Sequence, residues 1–450
     1  MSTVIAGAGI SGLTCAIYLK RSRPHKDVVV VSETGTSNSK LAGQRYRTRL
    51  DGLSDLAQMC AAQRFDGLDR TRLEQFFSTG RDVLRDFTQA RDGVGEPLTF
   101  RDRQEWFGPQ LGEIAASGKG IGTSVLAWLR MQAMRLGVQF RHGELRGIEI
   151  DAQGRAQSAT LVSEKHGNFL LAADHWVIAT GGPSGSLFHS TNADNGATLL
   201  VELIEAGFPV RDADIFMLHM AGICDESGRP KKGCHETDLL RNHQVFLQDE
   251  RGGFSIPAPR ITALLAQNRA HYHFAEVCRE IIAHGGVAKY VHGDDVRYGR
   301  VMHHYSHLGM RTDDGVSVSG AKNILAVGDA SGIGHWIGSR ERLPGMALLH
   351  CLVTGHLAGR LLADAGSSGG QVELMPAREA GGSRPGGELE ALRNINTRGL
   401  YGFFAKDDAA CKRWKAELDP SAPTWSSGVH RLVPVSRLVS QRCNESLANA

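Results

Sequence analysis

Along the 450-residue chain the spacing of apolar positions changes several times, and each change predicts a different element. An apolar strand runs to Ala6, a glycine turn follows, apolar positions then recur at helical spacing to about Ser22, and Val28 to Ser32 reads as a second strand. Strand, helix and strand in that order predict a βαβ unit at the start of the chain. From 33 to 135 the composition turns polar and helical, with helical periodicity over Leu73 to Leu84 and Val125 to Leu136. Short strands are then predicted at Val138 to Phe140, Leu145 to Ile150, Ala159 to Val162, Phe169 to Ala172 and Trp176 to Ala179, around turns such as Gln153-Gly154. A run of short strands this late in an α/β chain predicts a meander beside a parallel sheet.

Beyond residue 191 the strand pattern fades and histidines accumulate, at 219, 235, 243, 271, 273, 284, 292, 303, 304 and 307. Asn323 to Val327 is again an apolar strand, ending at Gly328-Asp329, and is expected to return to the first sheet. Gly366 to Gly387 is rich in Gly, Ser and Pro, as linkers are. The expected organisation is a nucleotide-binding part over 1–190, an inserted domain over 191–314, a return segment over 315–365, and a linker with a polar tail over 366–450.

Composition narrows the classes of function. Lys and Arg total 51 against 48 Asp and Glu, a formal charge of +3 with no concentrated run, which argues against a nucleic-acid binder. The eight cysteines show no C-x-x-C and no zinc-type spacing, so no metal site is expected and the thiols are read as mostly free in a reducing compartment. Neither a signal peptide nor a membrane span is expected, since Gly345 to Leu362, the longest apolar candidate, carries His350, His356 and Arg360. These readings predict a cytoplasmic protein. Its 54 glycines in 450 residues exceed the usual ~7% and suit tight turns and nucleotide loops.

One such loop is explicit. Gly7-Ala8-Gly9-Ile10-Ser11-Gly12 fits G-x-G-x-x-G between a strand and a helix, where missing side chains let a pyrophosphate approach the helix N-terminus. Glu33, followed by Thr34, closes the second strand, where a carboxylate accepts hydrogen bonds from ribose hydroxyls. Val138, opening the next predicted strand, is a further candidate contact to the cofactor.

Two later segments, Val177 to Gly182 and Asn323 to Ala330, resemble signatures of the two-dinucleotide-binding flavoproteins. That resemblance implies FAD, with Thr180 and Gly181 beside it and Asp329 at its ribityl and pyrophosphate region. Within that superfamily the chain resembles the fumarate reductase, succinate dehydrogenase and L-aspartate oxidase flavoproteins. Ser37-Asn38-Ser39-Lys40-Leu41-Ala42-Gly43-Gln44 is similar to their loop beside the isoalloxazine, S-[HN]-[ST]-x-x-A-Q-G-G. This implies that Asn38, Ser39, Ala42 and Gly43 face the flavin. Asn38 stands where membrane-complex members carry the histidine that links to it covalently, so the resemblance implies non-covalent FAD.

The match continues through Thr180 to Asp194 with Gly196, through Asp214 to His219, through His304 to Met310, and through Arg342 to Leu349. The last resembles R-L-G-G-N-S-L-L and adds Ala347 and Leu348 to the cofactor contacts. The fold implied is α/β, a Rossmann-like FAD domain of the two-dinucleotide-binding type with a β-meander and an inserted α+β capping domain. The catalytic residues implied are His219, His304 and Arg342, which hold a substrate carboxylate against the flavin; a guanidinium binds a carboxylate through two parallel hydrogen bonds.

The departures from the family bear on chemistry. Pro259 to Leu265 places leucine where the family's proton-delivering arginine belongs, leaving Arg260 or Arg269 as substitutes. His335 to Arg342 is about three residues longer than the family's H-G-A-N-R, so Arg340 or Trp336 is placed to reshape the pocket. The leading expectation is a soluble FAD-dependent oxidase or dehydrogenase of an amino acid or related carboxylate, with molecular oxygen as candidate acceptor. The runner-up is reduction or desaturation of a C=C bond beside a carboxylate. A third reading, from another class, is a flavin-binding protein without catalysis.

Overall fold

The computed structural model describes residues 2–32, 45–47, 70–89, 98–102, 111–115, 121–163, 165, 167–191, 197–235, 237–267, 270–337, 346–366, 370–376, 387–418 and 432–448. The chain divides into two compact units, one of residues 1–182, 195–215 and 307–382, the other of 183–194, 216–306 and 383–450.

The first unit is built on a five-stranded parallel sheet in the order Ile324–Ala326, His175–Ile178, Ser2–Ala6, Asp27–Ser32, Gln139–His142. Because side chains alternate along a strand, a sheet covered on both faces needs apolar residues at nearly every position. Ile5, Val28, Val30, Val177 and Leu325 join the core beneath helices Ile10–Ser22, Arg70–Thr88, Ile121–Arg135 and Met346–Asp364. Their neighbours Val4, Ala6, Val29, Val31, Trp176, Ile178, Ile324 and Ala326 join a second core on the other side. That side is covered by the predicted meander, Glu144–Ile150, Ala156–Ser163 and Gly167–Ala172, with helix Thr198–Glu205. At the meander's irregularity beside Gly147, the Glu202 carboxylate accepts both the Gly147 N–H (2.9 Å) and the Ile148 N–H (3.0 Å).

Met346–Asp364 is long and apolar enough to cross a membrane, yet 61% of its apolar window is buried. It packs as a core helix, with Gly355 and Gly359 against Ile10–Ser22: a Cβ on either would lie 2.5 Å from Ser11 O or 2.8 Å from Cys15 O.

The second unit differs from the sequence reading in two respects. Where the strand pattern seemed lost there is a six-stranded antiparallel sheet, in the order Pro230–Cys234, Phe216–Cys224, Asp295–Ser306, Val287–His292, Gln244–Leu247, Ile256–Pro257. The period-2 signal is blurred because the paired strands Phe216–Cys224 and Asp295–Ser306 carry histidines, glycines and register shifts. The segment read as linker and tail contributes helices Gly387–Ala405, Asp408–Glu417 and Leu432–Ala448 to this unit. Asn396, fully buried, ties them together: its amide donates to Leu187 O and Ser436 Oγ (both 2.9 Å), and its carbonyl accepts from Trp414 Nε1 (2.9 Å).

Candidate active site

In the first unit, the C-terminal ends of three neighbouring strands meet around the glycine turn. Gly7 has φ +116°, and its N–H donates to Val31 O at 2.8 Å. A Cβ on Gly7 would lie 2.3 Å from Ala179 O, and one on Gly12 would lie 2.1 Å from Gly7 O. Both glycines are therefore required by backbone contact. Helix Ile10–Ser22 begins behind Gly9, its N-cap, with no side chain capping the first turn. Its leading N–H groups keep the donor capacity that an anion at a helix N-terminus uses.

Around this turn lie Ala8, half-buried, and Ser11, buried. Ser11 Oγ would be 2.7 Å from a Cβ on Gly328, which has φ +62°. Thr180 follows strand His175–Ile178, and its buried Oγ1 has no hydrogen-bond partner among the described residues. Gly181 beside it has φ +79°. Asp329, half-buried, lies in the short turn Gly328–Ser331, which is pinned by Gly328 N–H to Thr354 Oγ1 (2.8 Å) and Ser331 Oγ to Gly328 O (2.9 Å). A backbone cradle free of side chains, uncapped helix donors and an orphaned buried hydroxyl fit a dinucleotide pyrophosphate.

Ala347 and Leu348 are half-buried at the start of Met346–Asp364. Val138 is a buried core residue whose N–H donates to Ala133 O (3.0 Å). Glu33, Thr34, Asn38, Ser39, Ala42, Gly43, Arg269, Arg340 and Arg342 lie outside the described residues.

In the second unit the structure brings His219 and His304 together, their ring centroids 5.4 Å apart. They stand on the paired strands Phe216–Cys224 and Asp295–Ser306. The pairing runs His219 with Met302, Leu218 with His303, then Met217 with Tyr305, so His304 is the extra residue of a β-bulge. A bulge bends its strand and re-aims the side chain it carries. His219 is buried, and its Nδ1 accepts the Ala221 N–H at 3.1 Å. That bond places the proton of the neutral ring on Nε2, making it a donor. Burial, with His304 and His235 nearby, holds the His219 imidazole well below its ordinary range and so neutral.

His304 Nδ1 lies 2.6 Å from Thr191 Oγ1. Thr191 is a site residue that the sequence reading left out, although it stood inside a segment matched to the family; its spacing gave no sign that it meets a histidine 113 positions away. Next to His304, His303 is 1% exposed and stacks on Phe188 (4.7 Å between centroids, 19° between planes), and among the described residues neither ring nitrogen has a hydrogen-bond partner.

Other candidates fall elsewhere. Leu265 is an apolar core residue, 1% exposed, on helix Pro259–Ala266. Arg260, offered as a substitute proton donor, is instead exposed and paired with Glu276 and Glu280, because its helix presents it to solvent beside the acidic face of Phe274–Ala283. Trp336 is 4% exposed and packs on Phe76 in the core of the first unit. His307, buried, belongs to that same unit.

A protein-family model described as FAD dependent oxidoreductase matches residues 2–334. No curated protein sequence matches the chain. Among solved structures, the chain is similar to a mutated form of E. coli quinol fumarate reductase FrdA (TM-score 0.62, 15% identity, covering 100% of this chain and 88% of that one). It is also similar to the Mycobacterium smegmatis Sdh1 complex in the apo form (TM-score 0.64, 16% identity, 98% and 86%). A third is the 3-ketosteroid-delta4-(5alpha)-dehydrogenase of Rhodococcus jostii RHA1 (TM-score 0.51, 16% identity, 80% and 96%). At such identities the likeness is one of fold, on which many chemistries can be built.

Proposed function

We propose, on the premise that the chain belongs to the FAD-dependent oxidoreductase family, that it oxidises an amino acid or a related carboxylate. When bound, FAD supplies a two-electron acceptor that takes a hydride at N5. The chain's own residues then have three tasks. Arg342 is assigned to the substrate carboxylate through its planar fork, and the Nε2–H of His219 is a donor available to an anion. His304 receives the proton that the substrate amine releases as its Cα–H leaves as hydride. The resulting imine hydrolyses in water.

The observation that carries this direction is Leu265. Reduction of a C=C bond needs an acid to protonate the carbon left after hydride delivery, and at the position where the family resemblance calls for that acid the chain has a buried leucine. Arg260 is engaged with Glu276 and Glu280 at the surface. Oxidation of a neutral amine has no such requirement, since the nitrogen lone pair drives hydride out and a weak base completes the step.

The test is an anaerobic titration of the FAD-loaded protein with amino acids and with dicarboxylates lacking an amine, followed by admission of oxygen and assay for peroxide. At least one amino acid should bleach the flavin, with peroxide on re-oxidation. Bleaching by succinate alone would move the assignment to the fumarate and succinate couple. No bleaching by any of them would remove the carboxylate reading.

A further inference from the structure

We propose that helix Gly387–Ala405, acting through the loop that carries Thr191, is the positioning device for the His304 side chain. The need for one arises from the bulge. Regular ladder bonds orient the side chains of a strand, and His304 is the residue the ladder skips. Its ring must therefore be aimed by something outside the sheet.

Two sets of contacts within the second unit do this. First, the segment His189 to Thr191 runs alongside His303: His303 N–H donates to His189 O (3.1 Å), Thr191 N–H donates to His303 O (3.0 Å), and Thr191 Oγ1 meets His304 Nδ1 (2.6 Å). Second, the helix makes two bonds to His189 and two to the turn that precedes it. Arg393 donates to Gly185 O (2.5 Å) and the Asn396 amide to Leu187 O (2.9 Å), while the His189 N–H donates to Thr397 Oγ1 (3.1 Å) and His189 Nε2 bonds Asn394 Oδ1 (2.8 Å).

The same helix also holds the strand itself, three residues before the bulge. The Tyr401 hydroxyl donates to Val301 O, and Arg300 Nε reaches the Tyr401 oxygen at 3.3 Å. The helix therefore holds both the segment that meets the His304 ring and, at Val301, the strand that carries it. The Thr191 hydroxyl can donate to or accept from His304 Nδ1, so this bond fixes the orientation of the ring whichever tautomer it holds. Thr191, Asn394 and Thr397 act through His304 and are positioning residues.

The inference rests on the reading that His304 faces substrate, but its test does not use substrate. The full-length, FAD-loaded protein, labelled with 15N in its histidine rings, is examined by NMR, with the His304 signals assigned by their loss in His304→Gln. Thr191→Val should move the His304 ring-nitrogen shifts, Thr191→Ser should restore the wild-type values, and Asn394→Ala with Thr397→Val should shift them part of the way. Unchanged His304 shifts in Thr191→Val overturn the role of Thr191. A response to Thr191→Val with none to the helix double variant overturns the role of the helix. If Thr191→Val does not fold, the double variant decides alone: wild-type shifts in it overturn the proposal. Failure of the amino-acid titration, with these shifts as expected, would leave the positioning device standing and remove only the substrate.

Discussion

In the glycine turn of the first unit the working groups are backbone N–H donors, whereas in the histidine strands of the second they are side chains aimed by a bulge. The turn needs only what its own residues lack: Gly7 and Gly12 have no Cβ, and the helix behind Gly9 has no capping side chain. Of the histidine pair, His219 is held locally by the Ala221 N–H two residues on, whereas His304 needs a partner from distant sequence, Thr191. A site made of backbone is most sensitive at its glycines, where any side chain meets the chain itself. A site made of aimed side chains depends on residues far from it.

The largest expected effect comes from breaking the first of these. Gly7→Ala meets both a left-handed φ and a backbone oxygen at 2.3 Å, which together cost at least about 2 kcal/mol. The purified variant should carry little or no FAD, as judged by its absorbance ratio. Full occupancy would show that the turn is not the nucleotide cradle.

Next in size is the clamp. Arg342→Lys keeps the charge but loses the planar fork, and on the order of a 100-fold loss in kcat/KM is expected while FAD content stays normal. If Arg340→Lys carries that loss instead, the clamp is Arg340.

A smaller effect separates the two regions by pH. Burial, with His304 beside it, holds His303 down to about 3. The unfolded chain takes up a proton near pH 6.5 while the folded chain does not. The stabilisation from the neutral ring is thus complete above that pH and is lost between there and about 3, at ~1.4 kcal/mol per pH unit. His303→Phe keeps the stack on Phe188 and removes the titrating group. Its urea-unfolding free energy should fall by about 2 kcal/mol less than that of wild type when pH drops from 7.5 to 5. An equal fall in both proteins would mean that His303 is protonated in the native state.

The contrast also explains what was legible in the sequence. The parallel sheet, the meander, the cofactor class and the glycine turn were readable because each is a local pattern: Val28 to Ser32 buries both faces, and Gly7 to Gly12 is contiguous. His219 and His304 were found through a family resemblance, while the sheet that pairs them was not read, since bulges at His304 and before Gly222 break the period of two. The terminal helices escaped for another reason. Their buried apolar residues, among them Leu392, Leu400, Trp414, Val435 and Val439, are interspersed with polar ones, and the first helix is joined through Asn394, Asn396 and Thr397, which composition alone reads as part of a tail.

The smallest expected change is none at all. With Asn38 in place of a linking histidine, acid precipitation should release all of the flavin, and yellow colour left in the washed pellet would reveal a covalent bond.

The direction of the reaction is tested most directly by re-oxidation. The FAD-loaded protein is reduced with dithionite and then exposed separately to oxygen and, under nitrogen, to fumarate. With Leu265 where an acid would be needed, re-oxidation by oxygen is predicted to be fast and re-oxidation by fumarate very slow. Rapid, stoichiometric re-oxidation by fumarate under nitrogen would contradict the assignment and make the protein a reductase.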